Sequence, residues 1–184
     1  LYPGLAIATE LQALAGQSNF SARCIFICSN RPLDARILTE ACVEFIPSPA
    51  SPLSLRPRGL VRFLRTWGKS IREARGVIRA ERAKPGRVIV VAMGGFVAAP
   101  VVQAAHVERI PVLMVNLDAV PGKANRLISR RAIRAPRGLG VYSGAPVDAS
   151  YARSWTMVPP IVRREVRTHR DQAACRAALG LDSA

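Results

Sequence analysis

The run Val88-Ile-Val-Val-Ala-Met-Gly-Gly-Phe96, followed by Val-Ala-Ala-Pro100 and a stretch rich in Ala and Val, constrains this chain more than any other segment. Four β-branched residues in succession make a short apolar run of buried-strand type. Gly94 and Gly95 break that run, and helix-forming sequence resumes at once. A strand, a Gly-Gly turn and a helix bring free backbone N–H groups and the positive end of a helix dipole to one point, a geometry that suits a phosphate or diphosphate. Glycine also serves turns for steric reasons alone. By itself the turn therefore fits either an anion cradle or plain chain geometry.

With 184 residues the chain is long enough for one sizeable core, read as one domain with a tail. A hydrophobic content of 49% excludes disorder, and an aromatic content of only 5% points to an α/β domain built from Ala, Val, Leu and Ile. No apolar run approaches about 18 residues, so no helix is expected to span a membrane. The chain opens Leu1-Tyr-Pro-Gly4, without Met or a charged leader region, and reads as a piece of a longer protein with no visible signal peptide. Its formal charge of +15 attracts polyanions: nucleic acid, an anionic membrane surface or phosphorylated substrates. Arg-rich composition from a GC-rich genome accounts for part of it equally well. Cys24 and Cys28 share one face of a strand-like run, and no second Cys/His pair has zinc spacing, so free buried thiols in a reducing compartment are expected and no metal site.

Periodicity predicts a helix over Pro3–Gly16 with Leu5, Ala8, Leu11 and Ala15 on one stripe. A strand over Ala22–Cys28, a helix over Asp34–Ala41 and a strand over Cys42–Ile46 follow. A Pro/Ser-rich loop from Pro47 then leads to a long basic helix over Gly59–Ala83. After the strand at 87–93 come a helix over Val97–Val107, a strand over Ile110–Val115 and a helix over Lys123–Ala132. Gly138–Tyr142 and Trp155–Val158 read as further strands, and Asp171–Leu179 as a terminal helix closed by Gly180. The alternation predicts a Rossmann-like, doubly wound, mostly parallel sheet.

In the long basic helix, Leu60, Phe63, Leu64, Trp67 and Ile71 share one face, flanked by Arg62, Arg65, Lys69 and Arg72. An apolar stripe bearing Trp and Phe with basic edges suits a helix lying on an anionic membrane, and equally a core-facing helix with a solvated basic side. Catalytic groupings are sparse. His106 falls inside a helix and His169 in an Arg-rich tail, neither beside an obvious nucleophile. Asp118 follows a strand at the C-terminal edge of the predicted sheet, where open α/β folds keep ligand residues; a turn Asp occupies such a place as readily.

Met93-Gly-Gly-Phe96, Ala99-Pro-Val-Val102, Ile110-Pro-Val112 and Ala119-Val-Pro-Gly-Lys-Ala-Asn-Arg-Leu-Ile-Ser-Arg130 resemble the acceptor domain of the MurG glycosyltransferases. Members of that family transfer N-acetylglucosamine (GlcNAc) from UDP-GlcNAc to lipid I, forming lipid II of peptidoglycan. The family pattern is G-G-Y/F-x-x-x-P, then I-P-V, then H-E-Q-N-x-x-x-G-x-x-N. Tyr2-Pro-Gly-Leu-Ala-Ile-Ala8 is similar to the stretch after the family's first Gly-rich loop. Ile161-Val-Arg163 and Ala177-Ala-Leu-Gly-Leu-Asp182 resemble the interdomain segment, which in the family reads G-N-P-V-R.

The resemblance implies a GT-B enzyme with two Rossmann-like domains facing a cleft, of which this chain supplies the first. Residues 1–160 would form the acceptor and membrane-binding domain, and 161–184 would begin the linker toward a donor domain. Without the first Gly-rich loop and the donor domain, the chain alone is expected to be inactive. Carried over by position, Gly94, Gly95 and Phe96 would hold the lipid diphosphate. Asp118, Asn125 and Arg163 would lie toward the donor, and Asp118 is the one in-chain candidate for the general base. H-E-Q-N falls on Val115-Asn116-Leu117-Asp118, a departure that places an anion where the family has Asn.

Leu60, Phe63, Leu64, Trp67, Arg62, Arg65 and Lys69 would dock on the anionic inner leaflet, giving a peripheral protein on the cytoplasmic face of the cell membrane. The partners implied are UDP-GlcNAc and an undecaprenyl-linked acceptor, with no cofactor and no metal. The reaction implied is an inverting displacement at the anomeric carbon. The departure at 115–118 leaves open a non-catalytic membrane-binding paralogue, or a transferase with another lipid or sugar acceptor. A nucleic-acid binder is not expected, because the basic surface carries no interleaved aromatics and no recognisable module.

Overall fold

The computed structural model describes residues 1–53, 56–118, 125, 128, 139–143, 155–164 and 171–180. Its elements run α1 (Tyr2–Gln17), β1 (Ile25–Ser29), α2 (Pro32–Glu40), β2 (Glu44–Ser48), α3 (Pro57–Arg82), β3 (Val90–Ala92), α4 (Gly95–Val107), β4 (Val112–Asn116), β5 (Leu139–Ser143), β6 (Thr156–Val158) and α5 (Gln172–Ala178). Helices α1, α2 and α3 each carry proline in the first turn, where its fixed φ fits and its missing N–H has no helical partner to lose. At α5 the Asp171 carboxylate accepts the Ala173 N–H, and Gly180 follows at φ +67°. Of the helix predicted over Lys123–Ala132, Asn125 and Ile128 are described, both in helical backbone; its other positions, and His169, lie outside the described residues.

Among the described residues all strand pairings are parallel: β1 with β2, and β3-β4-β5-β6 in that spatial order. Parallel neighbours need crossovers, which α2 and α4 supply for the first pair of each sheet. Alternation along β1 sends Phe26 and Cys28 toward Leu5 of α1 and Leu38 of α2, and Ile27 toward the cluster around α4. On β4, Val112 and Met114 enter that same cluster, while Leu113 and Val115 line a cavity with Ile7 of α1. Helices therefore cover both faces, and the arrangement is Rossmann-like and doubly wound, as the sequence predicts. The strands form two sheets rather than one, and among the described residues β1 and β3 each keep an unpaired edge. Helix α1 lies over the junction: a Cβ on Gly4 would stand 3.3 Å from Phe26 Cε1 and 3.8 Å from Met93 Cγ. The α1 stripe buries Leu5, Ala8 and Ala15, joined by Ala6, but leaves Leu11 exposed.

The larger core gathers Ala74 and Ile78 of α3, Val101, Val102, Ala104 and Ala105 of α4, and the inward residues of β3 and β4. Glu108, just past α4, ties these two helices: Arg75 Nε donates to its Oε1 at 2.7 Å and Arg79 Nε at 3.0 Å. Arg82 Nη1 donates to the Glu108 carbonyl at 3.2 Å, placing a cation at the negative end of α4. Hydrogen bonds from Arg79 and then Arg75 hold the Glu108 carboxyl below the usual glutamate range. A depressed folded value stabilises the fold above the unfolded value, and that contribution disappears as pH falls through the folded one. Glu108→Gln should therefore flatten the acid limb of a stability-against-pH profile measured by urea unfolding. An unchanged slope below the ordinary glutamate range would remove Glu108 from this role.

Candidate functional site

The Gly-Gly turn lies where β3 ends and α4 begins, at the C-terminal edge of its sheet. Gly94, the N-cap of α4, has φ +86° and ψ −169°, and Gly95 has φ +78°, both in the region L side chains rarely adopt. The chain thereby reverses within two residues and aims the first-turn amides of a 13-residue helix away from the core. Those of Gly95, Phe96 and Val97 precede the first carbonyl the helix offers. Gly95 is exposed, while Phe96 and Val97 are half-buried.

A buried amide network fixes this turn. Asn125 Oδ1 accepts the Gly95 N–H at 3.3 Å, and Asn125 Nδ2 donates to Asn116 Oδ1 at 3.2 Å. Asn116 Nδ2 donates in turn to the backbone carbonyl of Asp118. Asn116 is fully buried and Asn125 nearly so. The Asn125 side chain fills the space above Gly94: a Cβ there would stand 2.6 Å from Oδ1 and 2.8 Å from Nδ2. The first of the three helix-start amides is thus already engaged, leaving those of Phe96 and Val97 as the open donors at the positive end of the helix. Asn116 was not legible as part of the site. Its signals are a polar residue closing an otherwise apolar strand and its place in the Val115–Asp118 segment that aligns with H-E-Q-N.

The remaining predicted residues fall around this centre. Asp118 lies exposed on the bend two residues beyond β4. Arg163 stacks over Tyr2, its guanidinium carbon 5.1 Å from the ring centroid, at the N-terminal end of α1. Cys28 is buried, and that burial, followed by the nearby Asp34 charge, pushes its thiol up and leaves it a poor nucleophile. Cys24 is half-buried and raised by burial alone; Cys42 is exposed.

Helix α3 divides along its length. Ser70, Ala74 and Ile78 are buried against the core, whereas Leu60 and Leu64, on the predicted apolar face, are 39% and 61% exposed. Leu60 precedes Ile78 by about five turns on the same face, so one stripe is covered at its C-terminal end and open at its start. Val61 is exposed as well, and Phe63 and Trp67 are half-buried with ring centroids 5.3 Å apart. Arg62, Arg65 and Lys69 are exposed around them. No helix among the described residues is long and apolar enough to cross a membrane.

A doubly wound parallel domain with a glycine turn feeding a helix N-terminus is the architecture of a Rossmann-like half of a GT-B transferase. The chain belongs to glycosyltransferase family 28: residues 1–136 match the model of that family's N-terminal domain. It is 34% identical over 185 residues to the UDP-N-acetylglucosamine–N-acetylmuramyl-(pentapeptide) pyrophosphoryl-undecaprenol N-acetylglucosamine transferase of Clavibacter sepedonicus, an alignment covering 98% of this chain and 46% of that protein. The transferase of the same name from Desulforamulus reducens is 36% identical over 135 residues, 72% of this chain and 34% of its own length. Among solved structures, MurG of Acinetobacter baumannii shares the fold with a TM-score of 0.57 at 19% identity, over 94% of this chain and 43% of that one. The chain spans about half the length, 46%, of the first of these relatives.

Proposed function

We propose that this chain is the acceptor-side domain of a peripheral membrane enzyme that transfers GlcNAc from UDP-GlcNAc to lipid I, forming lipid II in peptidoglycan synthesis. The observation that carries this reading is the rigid Gly94–Gly95 turn, which presents the Phe96 and Val97 amides beside a helix whose first turns expose apolar side chains among arginines. The relatives named above bear this activity in their names. In the reaction the acceptor's sugar hydroxyl forms a bond to the anomeric carbon of GlcNAc. The bond from that carbon to the diphosphate breaks, and UDP leaves with the electron pair. The hydroxyl proton passes to a base, for which Asp118 is the candidate in this chain. The α4 N-terminus holds the acceptor's diphosphate charge. Asn125, buried with both side-chain polar atoms engaged, braces that loop, and Arg163 is assigned to the donor side. The segment 161–184 leads toward the donor-binding half.

The test is transfer of labelled GlcNAc from UDP-GlcNAc to lipid I in vesicles by the polypeptide that carries this chain. Labelled lipid II is the expected product. Vesicle binding without any transfer would instead favour a non-catalytic membrane module, the reading that the altered Val115-Asn116-Leu117-Asp118 segment supports.

Docking on the anionic cytoplasmic leaflet is assigned to the open start of α3, with Leu60, Phe63, Leu64 and Trp67 at the acyl boundary and Arg62, Arg65 and Lys69 at the headgroups. Replacing Leu60 and Leu64 together by Glu should lower partition onto phosphatidylglycerol vesicles by about tenfold or more, since full burial of one Leu is worth about 1.5–3 kcal/mol. Because both side chains are exposed, the unfolding midpoint should hardly move. Undiminished vesicle sedimentation of the double variant would place the membrane contact elsewhere.

A further inference from the structure

We propose that Glu10 of α1 and Arg164 are positioning residues for the donor end of the reaction: their ion pair fastens the segment that follows β6 to α1 and thereby sets the place of Arg163. Pro159 and Pro160 carry the chain out of β6, and each fixes its own φ and lacks an N–H, so neither can extend the strand pairing. Val158 to Ile161 pass Ile7 of α1 with an apolar cavity of about 450 Å³ left between them. Side chains that face a void gain little from one another, so apolar packing leaves the course of this segment loosely defined. Its polar contacts define it.

Arg164 Nε donates to Glu10 Oε1 at 2.7 Å and Arg164 Nη2 to Glu10 Oε2 at 2.8 Å, joining positions 154 residues apart. Two parallel bonds to one carboxylate fix the direction of the guanidinium as well as its distance. The neighbouring residue grips the same helix elsewhere, for Arg163 stacks over Tyr2 with its guanidinium carbon 5.1 Å from the ring centroid. Tyr2 and Glu10 are separated by about 12 Å along the axis of α1, at about 1.5 Å per residue. Consecutive arginines thus hold α1 at points about two turns apart, which resists both sliding along the helix and rolling on it.

The exposure of the pair separates positioning from stability. The Arg164 and Glu10 side chains are 56% and 33% exposed, so their attraction is screened by water and adds little to the global fold. Arg75 and Glu108, by contrast, tie two core helices with side chains 33% and 10% exposed. A screened contact of well-defined geometry does little for the core but much for the orientation of the residue beside it. That residue is Arg163, so the consequence for transfer rests on the proposed function, whereas the fastening itself does not.

The experiment has two arms, both on the polypeptide that carries this chain. In the first, NMR with labelled arginines follows Arg163, whose side-chain protons the Tyr2 ring face displaces upfield. Glu10→Gln and Arg164→Gln should each reduce that displacement, and the double variant should reduce it no further, because both single changes break one contact. In the second arm, each single variant should raise KM for UDP-GlcNAc about fivefold, the upper end of what a part-exposed ion pair contributes. The kcat and the KM for lipid I should hold, the pattern of a lost ground-state contact to one substrate. The melting temperature should hardly move. Arg163 protons unmoved in Glu10→Gln, or additive effects in the double variant, overturn the fastening. An equal rise in both KM values, or no rise in either, overturns the positioning of the donor side. A wild-type polypeptide that transfers nothing sinks the proposed function, and the NMR arm then still decides the fastening.

Discussion

Gly94→Ala is expected to destabilise the fold by about 2–4 kcal/mol, the range reached when a buried network breaks and backbone strain is added. The strain arises because φ +86° and ψ −169° at Gly94 lie in a region essentially reserved for glycine, which costs an L residue about 1–3 kcal/mol. The steric part is larger. The new methyl would lie 2.6 Å from Asn125 Oδ1 and 3.0 Å from Cγ, so Asn125 must leave its place. With it go the bonds to Gly95 and Asn116. Gly95→Ala separates the two effects, because φ there is +78° but nothing stands within 4 Å of the added carbon. It should cost about 1–2 kcal/mol, the strain alone. Urea midpoints at unchanged slope would measure both. Equal losses for the two variants would contradict the clash.

Asn125→Ala is the second large effect, expected at about 1–3 kcal/mol, because it strands a buried acceptor and frees the glycine turn. The Gly95 N–H loses its acceptor, and Asn116 Oδ1, fully buried, loses its donor. An unsatisfied buried polar group costs more than the net value of the bond it made, since it cannot turn to water. Asn116→Ala should be similarly costly. The double variant should cost less than the sum by about 0.5–3 kcal/mol, the coupling expected of residues in one network. Strict additivity would mean that the two side chains act independently and that the turn is held by something else. The same variants should also weaken diphosphate binding, because the loop that aims the Phe96 and Val97 amides loses its brace.

Much of the fold was legible because apolar periodicity reports burial directly. The helices α1 to α4 begin and end within about two residues of their predicted bounds, within ordinary end-to-end scatter. Strands were placed less well. The stretch at 87–93 pairs only over Val90–Ala92, since pairing depends on the length of the partner, β4, as well as on the run itself. The division into two sheets was hidden for the same reason: which edges meet is decided by tertiary contacts, not by either strand alone.

On α3, periodicity found the apolar face but not where it is covered. Leu60 and Ile78 look alike in sequence, and only the position of α4 decides that one is 39% exposed and the other 4%. The glycine turn was legible through its residue types. Its brace was not, because Asn116 and Asn125 meet across a loop that no local pattern describes. A cavity between Arg31 and Arg62 was equally invisible, since it draws on two loops and the starts of α3 and α4, distant in sequence.

The Gly94–Gly95 turn and the α4 N-terminus are proposed to hold the acceptor's diphosphate. The most direct test is a backbone amide NMR titration of the chain with a short, water-soluble prenyl diphosphate. Saturable downfield shifts of the Phe96 and Val97 amides, with a coupled shift of the Asn125 side-chain amide, are the predicted result. Shifts spread over the arginines of α3, with Phe96 and Val97 unmoved, would contradict it.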